Sequence, residues 1–338
     1  MINRQSLLKL FLISCFFVSL IIVSKESSAA PYYEGKRITI VVGVGPGGGY
    51  DRMARMLQKH LPRFIPGKPV IVVENMPGAA GIIAANYVYN KSKPDGLTLA
   101  EPQRGMPLAQ LLNVDGVKYD VKKYSWVGST SVESTVLCMR TDLPYKTFAD
   151  LQKSKKQLMI GGTGLGESST HFMTLMKEFL GLNIKMIFYP SSADAMLAIE
   201  RKELDGRAGS FSAHKPFIER GMVRALVRGR ASEPDDENLP VDEDLTTDKK
   251  AKTMMAMRST VELIGRPFVA APKTPPEIMK ILRDAFAKVV KDEEFRKEAK
   301  KNMMEVQYTT ADECLKILNH LFDQPEATVK EFSKYISF

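Results

Sequence analysis

The chain has 338 residues, with 48 lysines and arginines against 39 aspartates and glutamates and a formal net charge of +9. This balance favours an anionic ligand or an anionic membrane surface, but no basic stripe with interleaved aromatic residues indicates nucleic acid. The four histidines show no metal-ligand spacing, so we expect no metal and no cofactor.

Residues 1–30 have the pattern of a signal peptide. Arg4 and Lys9 precede an apolar run, and small residues at its end offer a cleavage site. The run is short for a membrane-spanning helix. Cys15 follows a lipobox-like sequence, but the long apolar stretch after it argues against lipid attachment. We therefore expect an exported periplasmic monomer whose remaining chain, about 300 residues, is long enough for two lobes.

The first predicted strand runs through a glycine-rich loop into a helix. Residues 38–42 form a β-branched run typical of a buried strand, and the glycines between 43 and 49 allow a tight turn. Arg52 and the residues after it begin an amphipathic helix. A helix N-terminus presents unpaired N–H groups and the positive end of the helix dipole, so this loop predicts an anion-binding site.

The same loop also satisfies a dinucleotide-binding fingerprint. Residues 43–48 match G-x-G-x-x-G, and Glu74 ends the next strand. Against this, Pro46 and three successive glycines make a stiffer loop than a dinucleotide needs, and an exported enzyme would have to find its cofactor outside the cytoplasm. A P-loop is excluded because no Lys-Ser or Lys-Thr follows, and no glycine closes a hydrolase G-x-S-x-G after Gly166.

Strands and helices alternate in two successive halves. This pattern predicts an α/β fold with a mostly parallel sheet in each half. An acidic stretch over 233–248 is expected to be a solvated loop, and residues 277–338 are expected to be almost wholly helical, with a capping box at Thr310. Cys138 and Cys314 are expected to be buried thiols, although a disulfide between them stays open. The predicted strands cover residues 38–42, 70–75, 97–100, 135–140, 158–162, 184–189, 224–227 and 268–272.

A second glycine loop follows the strand over 158–162. It places the hydroxyls of Ser168, Ser169 and Thr170 at the start of a helix predicted over 168–180. Hydroxyls and backbone N–H groups bind a carboxylate without a full counter-charge, which keeps release easy. Either loop alone is also explained as a capped helix start, but two such loops on an exported chain favour a clamp around one anion.

In this order and spacing, the motifs resemble the extracytoplasmic solute receptors of tripartite tricarboxylate transporters, the "Bordetella uptake gene" type. The resemblance covers essentially all of the chain after residue 30. It implies a two-lobe, type II periplasmic binding protein of the Venus-flytrap kind that performs no chemistry. The segments that carry it are residues 46–51 (P-G-G-x-x-D), 74–81 (E-N-x-P-G-A-x-G), 94–99 (P-D-G, then L-T-L), 163–171 (T-G-L-G-E-S-S-T-H), and Tyr189 with Ala193, Ala195 and Asp205.

The resemblance also implies a ligand and a partner. The ligand is expected to be a small organic carboxylate, delivered to integral-membrane transporter subunits. We expect residues 31–133 and 255–338 to form one lobe and 134–254 the other. A ligand-sensing receptor for a membrane kinase and an exported nucleotide-dependent enzyme remain as alternatives. The expected ligand-binding residues are Pro46, Gly47, Gly48, Gly49, Tyr50, Arg104, Gly166, Ser168, Ser169, Thr170, Ser191, Ser192 and Ser210.

The chain departs from the family's pattern at the second loop and beyond it. Glu167 is an extra residue whose carboxylate would repel an anion unless it turns outward or meets a ligand hydroxyl or amine. Residues 191–192 replace the usual K-G-G, and Gly209 with Ser210 stands where many members have Asp-Asn. Arg104 either pairs a second ligand carboxylate or is a solvated arginine. Which carboxylate is bound stays open.

Overall fold

The computed structural model describes residues 30–338, so the predicted signal peptide and Cys15 lie outside the described residues, apart from Ala30. Residues 33–338 form one unit that holds two sheets. The strands are β1 (Arg37–Val42), β2 (Val70–Asn75), β3 (Thr98–Glu101), β4 (Ser125–Ser129), β5 (Thr135–Arg140), β6 (Leu158–Gly162), β7 (Ile184–Phe188), β8 (Gly206–Ser210), β9 (Val223–Arg228), β10 (Pro267–Ala270) and β11 (Thr309–Thr310).

Twelve α-helices of this described part cover the sheets. Several of the long helices are amphipathic and bury an apolar face, as α9 does with Ile278, Leu282 and Phe286. None of them is long and apolar enough to cross a membrane. The helices are α1 (Gly49–His60), α2 (Ile82–Asn90), α3 (Met106–Leu111), α4 (Phe148–Lys153), α5 (Ser168–Leu180), α6 (Ser192–Glu200), α7 (Phe211–Glu219), α8 (Lys249–Ser259), α9 (Pro276–Val289), α10 (Glu293–Lys301), α11 (Ala311–Phe322) and α12 (Glu326–Phe332).

The first sheet has the strand order β11-β4-β10-β3-β1-β2, and the second has the order β7-β6-β8-β5-β9. We call the parts built on them the first and the second lobe. The α/β class with two sheets is confirmed, but both sheets are mixed rather than mostly parallel. β1 pairs in parallel with β2 and β3, and β6 with β7 and β8, whereas β10 and β5 run antiparallel to their neighbours.

The antiparallel strands follow from how the chain changes lobes. It leaves the first sheet through β4 and enters the second through β5, then returns from β9 to β10. A strand that arrives from the other lobe starts at the edge where the parallel strands end, so it must run against them. The predicted lobe boundaries, 31–133 with 255–338 and 134–254, stay a prediction.

The core of the second lobe is built from β5, β6 and α5. Phe172 and Met176 on α5 pack with Leu137 and Ile160 in one buried cluster, which Phe332 of α12 also joins. The helix bounds of α5 match the sequence prediction residue for residue. The capping box is also confirmed, because the Thr310 hydroxyl accepts from the Glu313 amide and the Glu313 carboxylate from the Thr310 amide.

The acidic stretch over 233–248 is a connecting segment, as expected, but it is only partly solvated. Glu233, Asp236 and Asp242 are buried. The Glu233 carboxylate accepts a hydrogen bond from the Ser134 amide at 2.9 Å, and so ties this stretch to the segment that joins β4 to β5. Composition alone does not show that three of these acids are buried beside a backbone N–H group and two arginines, Arg228 and Arg258.

Candidate functional site

Six parallel strands point their carboxyl ends at one cavity. These are β1, β2 and β3 of the first lobe and β6, β7 and β8 of the second. The loops after β1, β2, β3, β6 and β7, together with the end of β8 itself, line a cavity of about 310 Å³. Ligands of open α/β sheets bind outside the carboxyl ends of the strands, because the loops and helix N-termini converge there. The cavity is therefore the candidate ligand site.

Most residues singled out from the sequence meet at this cavity, and two do not. Thr170 lies within its own loop, where its hydroxyl donates to the Gly164 carbonyl at 2.6 Å. Gly166 packs beneath Ala80 and Phe338, which leave no room for a side chain there. Both are parts of the turn that carries Ser168, and their predicted part in ligand binding stays a prediction. The predicted residues that line the cavity are Pro46, Gly47, Gly48, Gly49, Tyr50, Arg104, Ser168, Ser169, Ser191, Ser192 and Ser210.

The first glycine loop is held in place from behind by polar side chains. One carboxylate oxygen of Asp51 accepts from the Gly47 amide at 2.8 Å, and the other accepts from Asn75 at 3.0 Å. Asn75 also donates to the Val44 carbonyl at 3.0 Å. Gly47 has φ +86°, a left-handed conformation that favours glycine. Because the Gly47 amide is engaged within the loop, the donors left for an anion are the first amides of α1.

A buried ionic cluster lies under this loop. The Glu133 carboxylate is 2.7 Å from the Arg266 guanidinium and 3.6 Å from that of Arg104. Arg266 also donates to the Gly49 carbonyl at 3.0 Å. Arg104 is buried, so the solvated alternative for it is wrong. Tyr50 joins the cluster, since its hydroxyl accepts from the Arg104 amide at 3.0 Å and donates to the Gly265 carbonyl at 3.1 Å.

The second glycine loop presents a hydroxyl and a carboxyl group to the cavity. Ser168 is buried at the start of α5, and its hydroxyl has no hydrogen-bond partner in the described part of the chain. Glu167 lines the cavity rather than turning outward, and it bonds to Gln103 of the first lobe. Burial raises the pKa of Glu167, which the bond from Gln103 and the charges of Arg104 and Arg207 only partly oppose. The repulsion that we expected from this carboxylate is therefore weakened.

The excess charge of the cavity is positive. Arg104, Arg207 and Arg266 line it, whereas Glu167 is the one acid among its described lining residues. Behind the lining, Glu133 lies between two of the arginines. Glu101 and Glu233 also lie near Arg266, but burial raises the pKa of both well above the usual range and so disfavours their charged forms. A buried charge without a partner costs several kcal/mol, so such a cavity favours an anion over a neutral or cationic ligand.

Sequence reasoning missed part of the wall. Arg207 and Arg266 were not expected there, nor was the turn over residues 77–80. Ala79 and Ala80 in that turn have φ +46° and +49°. Alanine rarely adopts this left-handed conformation, and such strain is often found at ligand sites. The sequence signal that could have identified Arg207 is its position as a lone arginine among the small residues of β8.

The geometry of the described residues supports neither a dinucleotide site nor a metal site. Glu74, the acid that a dinucleotide ribose would need, is exposed and lies outside the cavity lining. His60, Asp292 and Glu294 are close enough together to suggest a metal. However, Arg63 forms ion pairs with both acids, so its guanidinium already occupies the cation position.

A family model described as tripartite tricarboxylate transporter family receptor matches residues 53–333 of this chain. The chain belongs to this family. Among the receptor's curated relatives, protein BugT of Bordetella pertussis is 29% identical over 276 residues, which cover 78% of this chain and 80% of the relative. A UPF0065 protein of the same organism is 29% identical over 211 residues, 61% of this chain and 64% of the relative. The match to this second relative thus spans less than two thirds of its length.

Solved structures share the receptor's fold. The periplasmic binding protein BugD has a TM-score of 0.72 at 20% identity, over 90% of this chain and 98% of that one. An R. palustris protein solved with adipate has a TM-score of 0.72 at 22% identity, over 90% and 99%. MatC from Rhodopseudomonas palustris, solved with bound malate, has a TM-score of 0.65 at 19% identity, over 89% and 99%. At these identities the likeness concerns the fold alone.

Proposed function

We propose that this receptor captures a small organic carboxylate in the periplasm, between its two lobes, and delivers it to a tripartite tricarboxylate-type membrane transporter. The observation that carries the proposal is the cavity itself. The ends of six strands from two lobes converge there, together with more arginines than acids. Among the described residues that line the cavity, no group is arranged as nucleophile and base, so binding and closure are the whole mechanism that we assign.

The ligand class rests on the chemistry of the walls. The helix amides after β1 and the hydroxyls of Ser168 and Ser169 match a carboxylate, which accepts several hydrogen bonds at once. Arg104 and Arg266 add positive charge at the base of the first loop. The adipate and malate in two structures of the same fold support this class, since both are organic carboxylates.

Lobe closure would couple binding to delivery. The lobes are joined by the two segments that cross between the sheets and by the C-terminal segment, whose Phe332 packs in the core of the second lobe after β11 has paired in the first sheet. We propose hinge motion of the lobes around a ligand at these connections. Family membership supports the membrane partner, because the family model is that of a transporter receptor. We propose that the receptor acts as a monomer.

A thermal-shift screen tests the proposal. The receptor is heated with mono-, di- and tricarboxylates and, separately, with nicotinamide cofactors. A ligand that binds only the folded state raises its stability, by about 2.7 kcal/mol at a concentration of 100 times Kd. We expect stabilisation by a carboxylate. If only a nicotinamide cofactor stabilises the chain, the receptor function is refuted in favour of a nucleotide-dependent protein.

A further inference from the structure

We propose that Arg207 and the N-terminus of α6 form a second anion subsite in the wall of the second lobe, so that the preferred ligand is an organic dianion with one carboxylate at each end. This proposal rests on the proposed function and narrows its ligand class. The first carboxylate would lie at the two glycine loops, and the second at Arg207.

Within the described part of the chain, Arg207 is a buried cation that has no acid as partner. Only 4% of its surface is exposed, and it lines the cavity. Among residues 30–338, no carboxylate lies within 4.0 Å of its guanidinium, whereas Arg104 and Arg266 share Glu133. Its Nε is buried without a hydrogen-bond partner. A charge held this way is costly unless an anion completes it, and Arg207 is among the residues that line the cavity in which an anion would lie.

The neighbours of Arg207 orient its side chain without neutralising it. Nη2 donates to the Ser192 hydroxyl at 2.8 Å, and Nη1 lies 3.2 Å from Nε2 of His214. The other ring nitrogen of His214 lies 2.8 Å from the Ser210 carbonyl, so it carries the proton and Nε2 accepts from the arginine. Burial and the charge of Arg207 lower the pKa of His214 to about 3, which keeps the ring neutral.

Gly209 provides the space for this arrangement. A Cβ at this position would lie 2.9 Å from Nη1 of Arg207 and 2.8 Å from the His214 ring. An aspartate or any other side chain here would displace the guanidinium or neutralise it. Glycine therefore keeps the arginine both in place and unpaired.

The second element of the subsite is the start of α6. Ser191 caps this nine-residue helix through its side chain, and Ser191, Ser192 and Ala193 line the cavity. Ser192 connects the helix start directly to Arg207. The positive end of the helix dipole thus lies beside the guanidinium, and both favour the same negative group.

Glu167 does not take the place of the ligand. It bonds to Gln103, and within the described part of the chain it does not approach Arg207 to the 4.0 Å of an ion pair. Burial raises the pKa of Glu167, so it offsets Arg207 less than an ordinary glutamate would. The subsite keeps a positive charge for the ligand.

Isothermal titration of the whole receptor with matched ligands tests the subsite. The probes are succinate, glutarate and adipate, each beside its monoamide, which has the same shape and one charge less. We expect the preferred dicarboxylate to bind the wild type at least about 30-fold more tightly than its monoamide, because truncating one partner of a buried charge pair costs 2 kcal/mol or more. Arg207→Gln should lose this preference and weaken the dicarboxylate by a similar factor, with monoamide affinity little changed.

Two variants make the outcome decisive. Arg207→Lys keeps the charge without the fork of donors, so it should retain part of the preference even if Arg207→Gln folds poorly. Arg224→Gln is the matched control, because Arg224 is a strand arginine of the same sheet, bonded to the Tyr145 carbonyl at 3.3 Å and outside the cavity. It should bind like the wild type.

Three results would count against the proposal. Equal loss of dicarboxylate and monoamide binding in Arg207→Gln would show a purely structural role. Wild-type protein that binds monoamides as tightly as dicarboxylates would refute the subsite while leaving the receptor function in place. Failure of every carboxylate to bind the wild type would refute the receptor function as well.

Discussion

Replacing Glu133 by glutamine should destabilise the receptor more than any comparable change at its surface. Glu133 is 2% exposed and is the only acid of the described chain that lies within ion-pair distance of both Arg104 and Arg266. Glu133→Gln keeps the shape of the side chain but removes its charge. Two buried guanidiniums then lose their shared anion.

The magnitude follows from the two distances. At an effective dielectric constant of about 20, unit charges 2.7 Å and 3.6 Å apart attract each other by about 6 and about 5 kcal/mol. Desolvation opposes most of this gain, and removing one partner of a buried pair costs about 3–5 kcal/mol. For a chain of about 300 residues, each kcal/mol lowers Tm by about 1.5 °C, so we expect a fall of about 5–8 °C.

Thermal unfolding followed by circular dichroism measures this effect. Glu277→Gln is the control, since Glu277 is exposed in the first turn of α9, and its Tm should change by no more than about 2 °C. A saturating carboxylate should recover part of the Tm lost in Glu133→Gln, because the ligand supplies an anion near the same arginines. A Tm for Glu133→Gln equal to that of the control would refute the reasoning.

Further predictions concern the loop, a histidine and the cysteines. Gly48→Val should abolish carboxylate binding in titration yet leave Tm unchanged, because the φ of Gly48 is −77° and an added Cβ meets no protein atom. Gly47→Ala should instead lower the free energy of unfolding, measured in urea, by about 1–2 kcal/mol, because Gly47 has φ +86°. Unchanged affinity of Gly48→Val would remove this loop from the site. Burial lowers the pKa of His171 to about 4, so an unfolded chain binds a proton there that the folded chain does not. Between about pH 6.5 and pH 5 the wild type should therefore lose about 2 kcal/mol more stability than His171→Gln, and equal losses would contradict the burial argument. Cys138 and Cys314 are free and buried, so peptide mapping should find neither labelled by a thiol reagent until the protein is unfolded.

Local sequence patterns predicted the elements that carry strong periodicity or strong turn signals. The bounds of β2, β5, β6 and α5 match the predictions, because β-branched runs and four-residue apolar spacing specify these elements locally. β8 was missed, since Gly-Arg-Ala-Gly-Ser has no strand pattern of its own. It is a strand because β5 and β6 pair with it from both sides.

The missed strand also hid part of the site. Arg207 lies on β8, and its position in the cavity wall depends on the register of that strand against β5 and β6. Whether an acid lies beside Arg207 depends on which carboxylates the fold brings near it. Neither the position of Arg207 nor the lack of an acid beside it among the described residues can be deduced from its neighbours in the sequence.

The sequence by itself determined the α/β class, the two glycine loops and the family resemblance, because these depend on residues a few positions apart. Only the tertiary structure decided that the opening loop and Ser168 face one cavity and that Thr170 and Gly166 lie within the turn beside it. It also decided that Glu133 balances two arginines while Arg207 is left without an acid among residues 30–338. The physical reason is that charge compensation in a buried site depends on distances between residues that are far apart in the chain.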